Sequence, residues 1–358
     1  MKRILMATTA LGMGAGVAFA QDAMEMAPPI ALSGDAEMGV AGSKDESTRF
    51  HTDVNVKFTL AGMTDGGIMF GSAIELAESG DSEPSVDDDD EHGGISVFMN
   101  GPFGNLELGD TDGAFDWALA ETNGVGGGSI RDNEEHGAFA GNGGLDGMHD
   151  GQILRYDIEF SGFGFAASVE LDDDIKEKKN AAGAVTKAAQ LDDGDPVFGV
   201  GGRYSMDMAD GISVGVGAGY QMGGTATHDR TIIGGSVDIG TAYGLKAIAN
   251  FSNEEHESNV TGTVDETTVT RAGFGIGYAS GAMEIGVNVG AVETDTTAAT
   301  GDNDVTGVGL AASYSLGGGA SIKFGVGSSE TDYAVNTGTG AKADSDANSW
   351  SLGVAFSF

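Results

Sequence analysis

The chain has 358 residues, among them 62 glycines, five prolines and no cysteine, and its 55 acidic against 17 basic residues give a formal charge of −38. Thiol chemistry and disulfides are excluded, and so large an acidic excess repels nucleic acid and favours cations. Past the N-terminus no apolar run is long enough for a membrane helix, so a membrane location requires a closed β-barrel, the other structure that satisfies its backbone polar groups in hydrocarbon.

Lys2 and Arg3 precede an apolar stretch from Ile4 to Val17, and Ala18-Phe19-Ala20 supplies the small-x-small pattern of an export signal. The stretch falls short of the roughly 20 residues of a membrane helix. The expectation is cleavage after Ala20, with Ala18 and Ala20 as the recognised pair, leaving residues 21–358 as a single domain. Loss of Lys2 and Arg3 leaves 15 basic residues against 55 acidic ones.

From residue 31 onward one unit recurs: about ten residues of alternating polarity, closed by Gly, Asp, Asn or Ser. Val54, Val56, Phe58 and Leu60 oppose Asn55, Lys57 and Thr59. Phe163, Phe165, Ala167 and Val169 oppose Ala166, Ser168 and Glu170. Ala272, Phe274, Ile276 and Tyr278 oppose Arg271, Gly273, Gly275 and Gly277. Met283, Ile285, Val287 and Val289 oppose Glu284, Gly286 and Asn288. The last unit sets Trp350, Leu352, Val354, Phe356 and Phe358 against Ser351, Gly353, Ala355 and Ser357. One face is apolar and the other tiny, which suits the crowded or water-lined inside of a barrel.

The spacing predicts sixteen strands, at 31–42, 49–62, 67–79, 93–101, 103–111, 151–160, 163–172, 197–207, 211–222, 227–240, 243–253, 267–280, 282–294, 304–316, 318–331 and 347–358. Their connections alternate. Short links fall at Pro102, Ser161-Gly162, Asp210, Gly281 and Gly317, and long ones at 80–92, 112–150, 173–196, 254–266, 295–303 and 332–346, with 223–226 a short exception. Short turns on one side and long loops on the other are the mark of an all-β transmembrane antiparallel barrel. Phe50, Tyr156, Phe160, Phe198, Tyr204, Tyr220, Tyr243, Tyr278, Tyr314 and Tyr333 lie near segment ends, as interfacial girdles would, although ordinary strand core also places aromatics there.

Several blocks resemble the Rhodobacter-type general porins of Gram-negative bacteria. They are Ile30-Ala31-Leu32-Ser33-Gly34-Asp35-Ala36-Glu37-Met38-Gly39-Val40, Phe58-Thr59-Leu60-Ala61-Gly62, Val97-Phe98-Met99-Asn100-Gly101, Gly104-Asn105-Leu106-Glu107-Leu108-Gly109-Asp110 and Ala312-Ser313-Tyr314-Ser315-Leu316. The resemblance runs from first strand to last. It implies an exported outer-membrane homotrimer with a water-filled channel for ions and small hydrophilic solutes, set among membrane lipid and lipopolysaccharide. It also implies that a long loop after strand 5, here 112–150, folds into the lumen and sets its acids opposite basic wall residues. By position, the acidic side is then Asp110, Asp112, Asp116, Glu121, Asp132, Glu134 and Glu135. Strand parity turns Lys57, Arg155, Arg203, Arg271 and Lys323 inward, with Arg49 beside them, as the basic side. Phe358 stands as the C-terminal aromatic used in barrel assembly. The acidic excess points to weak cation selectivity.

The run Asp87-Asp88-Asp89-Asp90-Glu91 reads first as a solvated loop. As a binding segment its hard oxygen ligands would suit calcium, bridging to lipopolysaccharide. Asp110, Asp112 and Glu121 fit three positions of a calcium loop, but Phe115 occupies the place where that turn needs glycine, so an EF-hand is rejected. His51, His92, His136, His149, His228 and His256 form no metal motif, and neither a phosphate loop nor a nucleophile elbow occurs. No enzyme and no cofactor is expected. The competing readings are a solute-specific porin and a surface-displayed adhesin, the latter weakened because Gly143-Gly144-Leu145-Asp146-Gly147 is an isolated approximation of a calcium repeat.

Overall fold

The computed structural model describes residues 30–44, 47–79, 92–131, 142–149, 151–171, 178–179, 185–187, 194–260, 266–297, 303–333 and 345–358. The expected export segment with Ala18 and Ala20, the acids Asp87, Asp88, Asp89 and Asp90, and the loop acids Asp132, Glu134 and Glu135 lie outside these residues.

Period-two alternation becomes strand wherever it occurs. The first seven strands are β1 (Ile30–Ser43), β2 (Arg49–Met63), β3 (Met69–Ser79), β4 (His92–Gly101), β5 (Gly104–Asp110), β6 (Gln152–Phe160) and β7 (Phe163–Glu170). A small ribbon follows, β8 (Lys178–Lys179) with β9 (Val185–Lys187). The remainder are β10 (Val197–Asp207), β11 (Ile212–Gly224), β12 (His228–Thr241), β13 (Leu245–Ser258), β14 (Glu266–Ser280), β15 (Met283–Thr296), β16 (Asn303–Gly317), β17 (Ala320–Tyr333) and β18 (Ser345–Ser357). All except the ribbon form one closed antiparallel barrel of sixteen strands in which each pairs with its neighbours in the chain. The seam closes between β1 and β18, from Asp35 opposite Ser357 to Ser43 opposite Ser349, and the Phe358 N–H caps it on the Gly34 carbonyl at 2.8 Å. Within the barrel no strand is left with an open edge.

Each of the sixteen expected segments matches one barrel strand. The main difference is β13, which runs on to Ser258, five residues past the expected end. Asn253-Glu254-Glu255-His256 break the apolar alternation yet pair fully with β12 and β14, from Asn253 opposite Ile233 to His256 opposite Arg230. Polarity there reports water outside the apolar band, not the end of the strand. Ser161-Gly162, with φ of 50° and 83°, makes the tight turn between β6 and β7 that a right-twisted hairpin needs.

The barrel inverts the polarity of a soluble protein. Phe274, Ile276, Val289, Val308 and Leu352 point outward and stay exposed, whereas Arg155, Asp157, Glu170, Gln221, Asn250 and Glu254 are buried inside. Such a band of exposed apolar side chains is stable only against lipid or another protein. Of the ten aromatics expected near strand ends, Phe50, Tyr156, Phe160, Phe198, Tyr220, Tyr243, Tyr278 and Tyr314 are exposed. The buried apolar cluster is small and joins the inner loop to the wall: Ala114, Phe115, Trp117, Ala118, Leu119 and Leu145 pack on Ala166, Val197 and Ile232.

Placing a charge in the middle of the outward band tests this orientation. Phe274→Arg is expected to lower barrel stability by about 2–4 kcal/mol in denaturant unfolding from lipid. Ser213→Arg, at an exposed position on the inward row of β11, is expected to cost clearly less.

Candidate pore constriction

The connection after β5 turns into the barrel. A single helical turn, α1 (Ala114–Ala118), lies against β7, β10 and β11, and the chain then follows the inner wall to Ile130, whose side chain reaches Gly39 on β1 and Gly353 on β18. Its backbone polar groups, out of reach of any ladder, are met partly by turns within the loop, such as the Trp117 N–H on the Gly113 carbonyl, and partly by wall side chains. Ser168 Oγ on β7 accepts from the Ala114 N–H at 2.9 Å, and Ser236 Oγ on β12 from the Ala120 N–H at 2.8 Å. Asn250 on β13 donates to the Ala120 carbonyl at 3.2 Å.

Basic wall residues hold four further carbonyls. Arg155 donates to Asp112 O at 2.7 Å, Arg203 to Trp117 O at 3.1 Å, Lys246 to Gly124 O at 2.8 Å and Lys323 to Ser129 O at 3.4 Å. Arg203 also lies 3.9 Å over the Trp117 ring, a cation–π contact that fixes the end of α1. The returning limb is pinned by Glu170, whose carboxylate accepts from the N–H groups of Gly147, His149 and Gly151 at 3.1, 2.9 and 2.8 Å. Beside it Gln221 accepts from the Leu145 N–H at 2.8 Å and donates to Asp146 at 2.6 Å.

The wall cations singled out by parity are all engaged locally. Arg155 is buried and bonds Glu107 and Asp157, each at 3.1 Å. Arg203 pairs with Glu159, Arg271 with Glu254 at 2.9 Å, Lys323 with Glu37 at 2.7 Å and Lys57 with Glu75 at 3.7 Å. Arg49 begins β2 on the same row as Lys57 and also has an interaction partner. On the loop, Asp112, Asp116 and Glu121 come close enough to repel one another, and Asp146 joins them from the returning limb. Asp110 ends β5, exposed, with its carboxylate against Gly94. Phe115 is fully buried in the loop's own core, which is incompatible with a calcium-loop turn at that place. Among the described residues, no group of three or more His, Cys, Asp and Glu side chains has the arrangement of a metal site.

Burial and like charge act together on the loop acids. Burial pushes the Asp116 carboxyl up to about 8, with Asp112, Glu121 and Asp146 adding to the effect. Asp146 rises to about 6, chiefly through burial, although the Gly113 N–H and Gln221 pull it down. Asp112 is raised by burial against the opposing pull of Arg155.

Comparison with known proteins agrees with this architecture. The Gram-negative porin family matches residues 7–334. The chain belongs to that family. A curated porin of Rhodobacter capsulatus is 28% identical over 302 residues, covering 83% of this chain and 93% of the relative. A porin structure refined at 1.8 Å superposes with a TM-score of 0.62 at 24% identity, covering 92% of this chain and all of the other. An anion-selective porin from Comamonas acidovorans gives 0.61 at 16% identity, covering 92% of this chain and 99% of the other. This porin is therefore an outer-membrane channel for the diffusion of small solutes and not an enzyme, and the adhesin reading falls away.

Glu170, Gln221, Ser168, Ser236, Asn250, Lys246 and Asp146 were not among the expected site residues. For all but Asp146, which lies on the returning limb of the loop, the signal was a polar residue on an inward row, which marks the lumen face but not the loop. Two outcomes follow. Glu170→Ala leaves the buried His149 N–H without an acceptor, at about 1–3 kcal/mol, and frees the part-buried Gly147 and Gly151 N–H groups, and is expected to expose residues 142–149 to protease in a folded barrel. The raised carboxyls of Asp146 and Asp116 favour loop packing fully below their ordinary range, and that contribution is lost as pH rises through about 6 and then about 8. Hydrogen-exchange protection of residues 142–149 should fall between pH 5 and 8.5, and Asp116→Asn should remove the upper step; flat or rising protection contradicts this assignment.

Proposed function

We propose that this porin is a weakly cation-selective general diffusion channel whose narrow zone is negative. One observation carries the reading: the wall cations Lys57, Arg155, Arg203, Arg271 and Lys323 each sit in an ion pair with a wall carboxylate, whereas Asp112 and Glu121 stand on the loop close enough to repel one another, Asp116 adding its charge only above about pH 8. A ring of charge of one sign sets ion preference in a pore. Asp110, Asp132, Glu134 and Glu135 belong to the acidic side in this reading, and Arg49 to the basic side. The anion-selective Comamonas protein has the same fold, so the sign must come from the lining side chains and not from the barrel.

The oligomer proposed is a homotrimer. At about 3.4 Å per residue and a tilt near 40°, a seven-residue strand such as β5 covers roughly 18 Å, less than the ~25 Å apolar band of an outer-membrane barrel. Neighbouring copies would cover this low wall, and lipid the rest. Phe358 is proposed as the assembly aromatic. Asp87, Asp88, Asp89 and Asp90 are proposed to bind Ca2+ or Mg2+ against lipopolysaccharide, which predicts that chelation loosens the outer leaflet around the protein. A solute-specific channel is the second reading, favoured by a cavity of about 650 Å³ beneath the loop, lined by Trp117, Arg203, Glu159 and Asp238.

Reversal potentials in a potassium chloride gradient test the first reading. The wild type should prefer potassium, and Asp112→Asn with Glu121→Gln should reduce that preference. An anion-selective wild type would overturn it, and saturable block by one solute class would favour the second.

A further inference from the structure

The inward rows of the wall carry glycine where the loop backbone crosses them. A methyl group on Gly201 of β10 would overlap the Ala114 carbonyl oxygen, and one on Gly217 of β11 the Ala118 carbonyl oxygen. The same holds for Gly275 of β14 against Thr122 O, and on Gly286 of β15 a methyl would stand 2.5 Å from Val125 O. Gly219 and Gly234 make room for the Phe115 ring, at 2.8 and 2.7 Å. None of these glycines has positive φ, so the backbone itself does not call for glycine. Glycine inside a strand weakens it and marks a close approach. Here the approaching group is the loop.

The outward neighbours show the contrast. A methyl on Gly202, next to Gly201, would meet nothing closer than 3.7 Å. The requirement is therefore for space on one face of the strand.

We propose that these glycines form a seat that sets the aperture of the pore. They let the loop lie with its carbonyls against the wall, where Arg203 and Lys246 hold the adjacent Trp117 and Gly124 carbonyls. A side chain in the seat has the wall behind it and the lumen in front, so it displaces the loop toward the channel axis. The glycines act as positioning residues and touch no solute. The inference rests on the channel reading above and adds what fixes the channel's width.

The test is single-channel conductance of Gly201→Ala, Gly286→Ala and the control Gly202→Ala, each refolded to a barrel with wild-type mobility on gels, together with liposome swelling in neutral sugars of increasing size. The seat variants are expected to conduct about twofold less than wild type, with the larger sugars losing more than the ions, while Gly202→Ala conducts as wild type. A loss confined to fold stability would leave the sugar cut-off unmoved. Unchanged conductance and cut-off in both seat variants, or an equal loss in Gly202→Ala, overturns the proposal while the channel reading stands. A silent wild-type barrel overturns both. Should Gly201→Ala not fold, Gly286→Ala at the far end of the seat decides.

Discussion

A backbone polar group has no partner in hydrocarbon, and almost everything in this molecule follows from that. The strands meet the requirement among themselves, and only closure of β1 on β18 leaves none of them with an open edge. The inner loop cannot join the ladder, so part of its N–H and carbonyl groups close turns within the loop and others are taken up by side chains from the inward rows: Ser168, Ser236, Asn250, Lys246, Arg203, Arg155 and Lys323. The lumen is therefore polar for a structural reason before it is polar for transport.

This double use of the lumen side chains shapes the electrostatics. Arg155 and Lys323 each bind both a wall carboxylate and a loop carbonyl. Removing either partner of a buried pair typically costs about 3–5 kcal/mol, because the other charge is left stranded. The cations most deeply placed are thus committed to holding the loop. The acids on the loop have no comparable set of cationic partners, and burial with mutual repulsion raises the carboxyls of Asp116 and Asp146.

The barrel was legible in the sequence because period two is unambiguous when one face is lipid and the other nearly bare. Trp350, Leu352, Val354 and Phe356 against Ser351, Gly353 and Ala355 fix which set faces lipid and exclude a slip by one residue. The loop after strand 5 was legible by its length and by family resemblance, but its course was not. A glycine on an inward row reads the same whether water or a loop carbonyl lies over it, so Gly201 and Gly217 carried no visible message. Parity placed Arg155, Arg203, Arg271 and Lys323 inward, yet the partners of the last three sit on other strands, Glu254 on the adjacent one and Glu159 and Glu37 one strand further away, and pairing them needs the strand order and register. The helical turn Ala114-Phe115-Asp116-Trp117-Ala118 is too short for a period to show, and Glu170 and Gln221 are lone polar residues whose acceptor and donor roles appear only beside the returning limb.

The central claim is that the loop lies fixed on the inner wall. Thr122 Cγ2 lies 3.0 Å from where a β-carbon on Gly273 would stand, and the chain has no cysteine of its own. Disulfide formation in T122C/G273C therefore measures the seating of the loop directly, since such a bond needs β-carbons about 3.5–4.5 Å apart. The account predicts complete intramolecular oxidation in the folded barrel. Two thiols that stay free and open to alkylation in a folded, conducting barrel would contradict it.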